Sequence, residues 1–122
     1  MAERKPTILH LDDDPRVYRP LGVALTLNGF DIRQADSIEK ALAIIEADKD
    51  HNIRIALVDG DLGKGETGEM FIEQLKAGDR TDIVTIGNSG GRNVLGADLQ
   101  SQKNDGLSSL YRMITRAQEL SR

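Results

Sequence analysis

The sequence predicts an α/β fold, a doubly wound five-stranded parallel sheet with helices on both faces. Three observations lead there. Short apolar runs alternate with helical patterns along the 122 residues, with no internal repeat and no low-complexity linker. Strands that alternate with helices need crossover connections, hence a parallel sheet covered on both sides. Aspartates close the first and third runs, at the carboxyl ends where such sheets place their sites.

The elements follow in order. Thr7 to Leu11 (TILHL) reads as a strand ending in three aspartates. A helix is expected over Pro15 to Leu27, with proline at its first position and Asn28-Gly29 as the stop. Pro20 removes an internal hydrogen bond there and should kink or delay the helix. Phe30 to Gln34 alternates apolar and polar, as a half-buried strand does. Asp36, with Glu39 three residues on, predicts a capping box for a helix whose buried stripe is Ile38, Ala41, Leu42 and Ile45. Ile53 to Val58 is the third strand and runs directly into Asp59. A glycine-rich loop leads to a helix near Glu69 to Lys76, with Met70, Phe71 and Leu75 apolar. Ile83 to Ile86 is the fourth strand, ended by GNSGG, and a weak fifth strand runs through Ala97 to Gln102. Leu107, Leu110, Ile114, Ala117 and Leu120 recur at helical spacing in a final helix. The fourth helix of the series is shortened or lost.

Composition narrows the functional classes. The length suits one domain spanning residues 1–122. Hydrophobic residues at 39% and charged residues at 30% fit a soluble globular chain. No apolar stretch is long enough for a membrane span, and MAERKPT lacks a signal-peptide core, so the expected location is cytoplasmic, away from the membrane. The absence of cysteine excludes disulfides and thiolate metal sites, and two histidines leave little for a zinc cluster. A net charge of −4 and 3% aromatics argue against nucleic acid as a partner.

The chemistry concentrates in Asp12, Asp13 and Asp59. If the first and third strands are neighbours, these carboxylates converge, and their mutual repulsion calls for a cation or for raised pKa values. A hard divalent ion with oxygen ligands, Mg²⁺ above all, is the natural answer. One carboxylate can then act as a nucleophile toward phosphorus, giving an acyl phosphate. A single aspartate at a strand end is more often a helix cap, which is the role expected of Asp14 before Pro15. His10 reads as a packed or partly exposed strand residue rather than a ligand, and His51 and, by itself, Lys103 as solvated ones.

Several segments resemble the receiver domain of two-component response regulators. ILHLDDDP (Ile8 to Pro15) resembles that family's opening strand and acidic pair. NGFDIRQADSIEKALAIIE (Asn28 to Glu46) resembles its second strand and helix, and IRIALVDGDL (Ile53 to Leu62) its third strand with the phosphoacceptor. The resemblance covers essentially the whole chain. It implies the flavodoxin-like strand order 2-1-3-4-5, Asp59 as phosphoacceptor, and Asp12 and Asp13 as Mg²⁺ ligands, joined by Asp59 and the backbone carbonyl of Asp61. GADLQSQKN (Gly96 to Asn104) resembles the fifth strand and its loop, which places Lys103 as the phosphate-binding lysine. The implied partner is a histidine kinase or phosphotransfer protein. The implied role is regulatory, not enzymatic beyond self-catalysed phosphotransfer.

The second half departs from the family pattern. Gly63 stands where the family has proline, and Asn104 where a proline follows the lysine. Gly87 stands where it has a phosphoryl-contacting threonine or serine, so that Ser89 would substitute only through a shifted loop. Gln100 replaces the switch aromatic, and eight residues separate Gly87 from Gly96, fewer than the family's fourth helix needs. Two functions are therefore expected as alternatives: a working phosphoacceptor, or a pseudo-receiver serving as a phosphorylation-independent interaction module. The D-x-D spacing of Asp59 and Asp61 also occurs in haloacid dehalogenase-like phosphatases, but mid-chain and without a cap domain it does not support one. GDLGKGETG matches neither a P-loop nor a calcium loop.

Overall fold

Five strands line up in the order β2-β1-β3-β4-β5, every neighbouring pair parallel, in the computed structural model, which describes residues 5–121. The opening residues 1–4, part of the segment inspected for a signal peptide, lie outside the described residues. The strands are β1 (Thr7–Leu11), β2 (Asp31–Ala35), β3 (Ile53–Val58), β4 (Val84–Ser89) and β5 (Leu99–Gln102). The helices are α1 (Pro15–Leu27), α2 (Ile38–Ala47), α3 (Gly68–Ala77) and α4 (Leu107–Leu120). No helix among the described residues is long and apolar enough to cross a membrane.

Alternation within the central strands divides the core. Leu9, Leu11, Ala56 and Val58 face α2 and α3, packing with Ile38, Ala41, Ile45, Phe71, Ile72 and Leu75. Ile8, Ile55, Leu57, Val84 and Ile86 face the other way, against Leu25 of α1 and Leu110, Ile114 and Ala117 of α4. Strands β1 and β4 are buried at every position, whereas the edge strand β2 alternates and ends buried at Ala35. That is the difference expected between the centre and the rim of a parallel sheet.

Local chemistry sets the helix ends, with several differences from the sequence reading. Asp14 caps α1 by accepting the Arg16 N–H at 2.9 Å. Helix α1 continues through Pro20, which lies mid-helix on an exposed stretch, so the hydrogen bond lost at its ring nitrogen does not end the helix. Ser37, not Asp36, caps α2, accepting from the Lys40 N–H at 3.3 Å. Asp36 instead pairs with the Lys40 ammonium at 2.9 Å. Strand β4 starts at Val84 and continues through Gly87, Asn88 and Ser89, where GNSGG read as a stop, because all three pair with Gln100, Ser101 and Gln102 of β5.

Between β4 and β5 no helix forms among the described residues; turns carry the chain from Gly90 to Asp98. A helix there would have covered the sheet, and single side chains do so instead. Val94 is fully buried in the α2–α3 side of the core. Gln100 mimics a strand partner for it, accepting the Val94 N–H at 3.0 Å and donating to the Val94 carbonyl at 2.8 Å. Asp98 ties the segment's far end to β4, accepting both the N–H and the hydroxyl of Thr85.

Candidate phosphoacceptor site

The register of β1 on β3 sets Leu11 beside Val58, so Asp12 and Asp59 leave the sheet at the same level. Asp59 donates its N–H to the Leu11 carbonyl at 2.9 Å, which fixes its backbone to the first strand. The carboxylates of Asp12, Asp13 and Asp59 each offer an oxygen within 4.8 Å of the others. Asp12 is fully buried and Asp59 nearly so, while Asp13 is exposed. Gly68, the first residue of α3, closes the site from behind: a Cβ there would lie 2.3 Å from the Asp59 carbonyl oxygen. Only glycine permits that approach.

Lys103 reaches this cluster from the 3₁₀ turn that follows β5 (Lys103–Asp105). Its Nζ lies 3.0 Å from Asp12 Oδ2 and 3.2 Å from Asp59 Oδ1. The lysine that reads alone as solvated is therefore part of the cluster. Its burial works against its charge, but Asp12 and Asp59 outweigh this and raise its pKa. The Asp59 pKa is raised by burial and then by the charge of Asp12, against the pull of Lys103. One ammonium thus bridges two of the three carboxylates.

The donor set suits a hard divalent cation. All the side-chain donors are carboxylate oxygens, and Asp12 Oδ2 is buried without an aligned hydrogen bond. Asp61 follows in the turn after β3, where its side chain accepts from the Gly63 N–H and its backbone bridges to Thr67. Gly63 adopts φ +72° beside Asp13, at a position where the family has proline; that conformation is closed to a proline ring.

The other predicted residues fall as follows. Ser89, buried at the end of β4, directs its hydroxyl at Gly60, where a Cβ would lie 3.2 Å from it. Gly87 pairs with Val58 one residue short of Asp59. A Cβ on Gly87 would meet Gln100 Oε1 at 2.5 Å and Val94 Cβ at 2.7 Å, so the place of the family's hydroxyl is filled. His10 is packed as expected, 3.9 Å from Asp12, and burial lowers its pKa to about 4. His51 is half exposed and pairs with Asp82 at 3.4 Å.

Arg92 is the residue at this end of the sheet that sequence reasoning missed. It donates to the carbonyl of Gly60, the residue after Asp59, at 2.6 Å. It also grips Glu69 of α3 through both guanidinium nitrogens. The signal available was an arginine, the side chain suited to phosphate, just after a glycine pair at a strand's carboxyl end. Glu69 in turn accepts the Leu95 N–H at 3.0 Å, so this clasp fastens the helix-free segment to α3.

The clasp should be acid-labile. Arg92 lowers the Glu69 pKa from 4.5 to about 2. A depressed carboxylate contributes stability above its unfolded value and loses it as pH falls through the folded one. Amide exchange at Leu95, corrected for the intrinsic pH effect, should therefore rise as pH drops from 4.5 toward 2. In Glu69→Gln the same amide should show no such titration.

Against known proteins, the fold is widely matched. A response regulator receiver protein from Pseudomonas putida superposes with TM-score 0.82 at 25% identity, over 95% of this chain and 99% of that one. A receiver domain (CheY-like) from Methylobacillus flagellatus gives 0.78 at 19% identity, over 92% and 98%. The signal receiver domain of an HD domain-containing protein from Pseudomonas fluorescens Pf-5 gives 0.85 at 15% identity, over 99% and 92%. This is a receiver-domain fold. No family model matches the sequence, and no curated protein matches it. Within the receiver fold, the acidic cluster and Lys103 occupy the carboxyl ends of β1, β3 and β5, while the β4–β5 connection carries the departures.

Proposed function

We propose that the chain is a phosphoacceptor receiver in two-component signalling, taking a phosphoryl group on Asp59 from a histidine kinase or phosphotransfer protein. The observation that carries this reading is the convergence of Asp12, Asp13 and Asp59 within 4.8 Å, with Lys103 on two of them. An Asp59 carboxylate oxygen attacks phosphorus, the phosphorus–nitrogen bond of the donor's phosphohistidine breaks, and the leaving imidazole keeps the bonding pair. Lys103 offsets charge on the transferred oxygens from the β5 side. Asp12, Asp13, Asp59 and the Asp61 carbonyl would hold Mg²⁺, which supplies further positive charge at those oxygens. Ser89 is the nearest candidate for the hydroxyl that Gly87 lacks. The role is regulatory, in a soluble cytoplasmic receiver-like unit with no membrane or nucleic-acid partner.

Intact-mass measurement after incubation with a small acyl phosphate and Mg²⁺ tests this. One phosphoryl adduct should appear, and it should vanish in Asp59→Asn. Lys103→Ala should slow its formation by about a hundredfold to a thousandfold, the loss expected for one charge-stabilising donor. Absence of any adduct on the wild-type chain would favour the second reading, a pseudo-receiver that binds its partner without phosphorylation. That alternative draws its support from the occupied Gly87 position and the Gln100–Val94 lock.

A further inference from the structure

The 90–97 segment has no helix, and Gly87 and Gln100 on either side of it lack the hydroxyl and aromatic by which the resemblance would have phosphorylation registered. The segment does carry a cation beside the acceptor. Arg92 Nη2 sits 2.6 Å from the Gly60 carbonyl oxygen, one residue from Asp59. A Cβ on Gly60 would lie 2.9 Å from that nitrogen and 3.2 Å from Ser89 Oγ, so guanidinium and hydroxyl meet at one point beside the acceptor. The Arg92 side chain is nearly half exposed, which leaves it room to reorient. It is protonated throughout, held so by Glu69 foremost and also by Asp61 and Asp59.

Two anions would compete for this guanidinium once Asp59 is phosphorylated. Glu69 offers one negative charge from a partly exposed position. A phosphoryl group offers a charge of about −1.5 to −2 and three strong acceptor oxygens, geometry that a guanidinium matches in bidentate fashion. We propose that Arg92 reads the phosphorylation state: its guanidinium passes from Glu69 to the phosphoryl oxygens on Asp59, and the Leu95 amide loses its tie to α3. The exchange breaks and forms hydrogen bonds only, with no proton transferred. Glu69 loses the partner that orients it, so the Leu95 N–H loses a fixed acceptor. Leu95, already 73% exposed, then becomes a mobile apolar side chain at this turn, while Lys76 of α3 still holds the Gly96 carbonyl. Val94 stays behind, locked by Gln100.

The inference rests on the phosphoacceptor reading, and the test separates the two. Amide exchange is followed by mass spectrometry over the Leu95 peptide with and without Mg²⁺ and beryllium fluoride, a mimic of the phosphoryl group. Acyl phosphate labelling of each variant runs alongside. In the wild type, exchange at Leu95 should rise about tenfold on adding beryllium fluoride, the scale of losing one charge-assisted hydrogen bond. In Arg92→Ala the acyl phosphate adduct should still form, but the rise should disappear. Arg92→Lys should restore part of it, and Glu69→Gln should show fast exchange from the start. Core amides of β1 and β3 should remain protected in all variants, which excludes general unfolding. An equal rise in Arg92→Ala and wild type, with the adduct present in both, would overturn the inference and leave the phosphoacceptor reading intact. A wild type that forms no adduct overturns that reading, and this inference with it.

Discussion

Replacing Arg80 with alanine is expected to cost about 3 kcal/mol of stability, the low end of the penalty for breaking a buried ion pair, because Asp48 at 9% and Asp82 at 29% exposure keep some contact with water. Arg80 lies at the opposite end of the sheet from the aspartate cluster and is only 7% exposed. Its fork donates to the Ile53 carbonyl at 2.8 Å, to Asp48 at 3.2 Å, and to both Asp82 oxygens at 2.9 and 3.1 Å. It thereby joins the cap that ends α2, the first residue of β3 and the approach to β4. Asp48 also accepts the N–H groups of Asn52 and Ile53, so its position is fixed and it cannot turn to water when the arginine goes. Burial opposes the guanidinium charge, but Asp82 and Asp48 outweigh it and raise its pKa. Arg80→Lys should recover little, because an ammonium cannot span these partners with one planar fork. Domains of this kind hold only about 5–15 kcal/mol in all, so urea denaturation at neutral pH should show the alanine variant near the edge of folding. A loss under about 1 kcal/mol would place the cluster with ordinary surface ion pairs and refute its structural role.

The two ends of the sheet differ in how far the sequence disclosed them. The acidic cluster was legible because each member follows an apolar run directly, and strand ends in a parallel sheet gather at one edge. Asp14 was legible for a similar reason, since its partner Arg16 is two residues away. Lys103 was placed only by resemblance; its reach to Asp12 depends on the pairing of β5 with β4, which no local pattern encodes. Arg92 was invisible because its partner Gly60 lies 32 residues away, and for Arg80 the nearby Asp82 gave no sign of the fixed Asp48, also 32 residues away, that makes the cluster. The cap of α2 shows the limit at short range. Asp36 and Ser37 are both good caps, and pairing of Asp36 with Lys40 left the role to Ser37.

Gly87→Thr, the change that would supply the hydroxyl the resemblance to receivers expects there, is expected to destabilise the fold by about 1–3 kcal/mol, as overpacking of a filled core does. The glycine is not needed for its backbone freedom; what excludes a side chain is space. Gln100 Oε1 and Val94 Cβ already stand 2.5 and 2.7 Å from where the new Cβ would be. The glutamine end can swing away, but Val94 Cβ moves only with its backbone. The threonine must therefore lift the helix-free segment, breaking both Gln100 bonds to Val94 and exposing a fully buried side chain. Gln100→Ala alone should cost about 1–3 kcal/mol through the unpaired Val94 backbone groups. Because both substitutions act through the same segment, their effects should combine to less than their sum. Urea denaturation of the two single variants and the double would measure that coupling. Strict additivity would mean that the segment is not held by Gln100 at all. Residues 87, 94 and 100 are thus one packing unit: Gln100 holds Val94 over the sheet, and with Val94 there only glycine fits at residue 87.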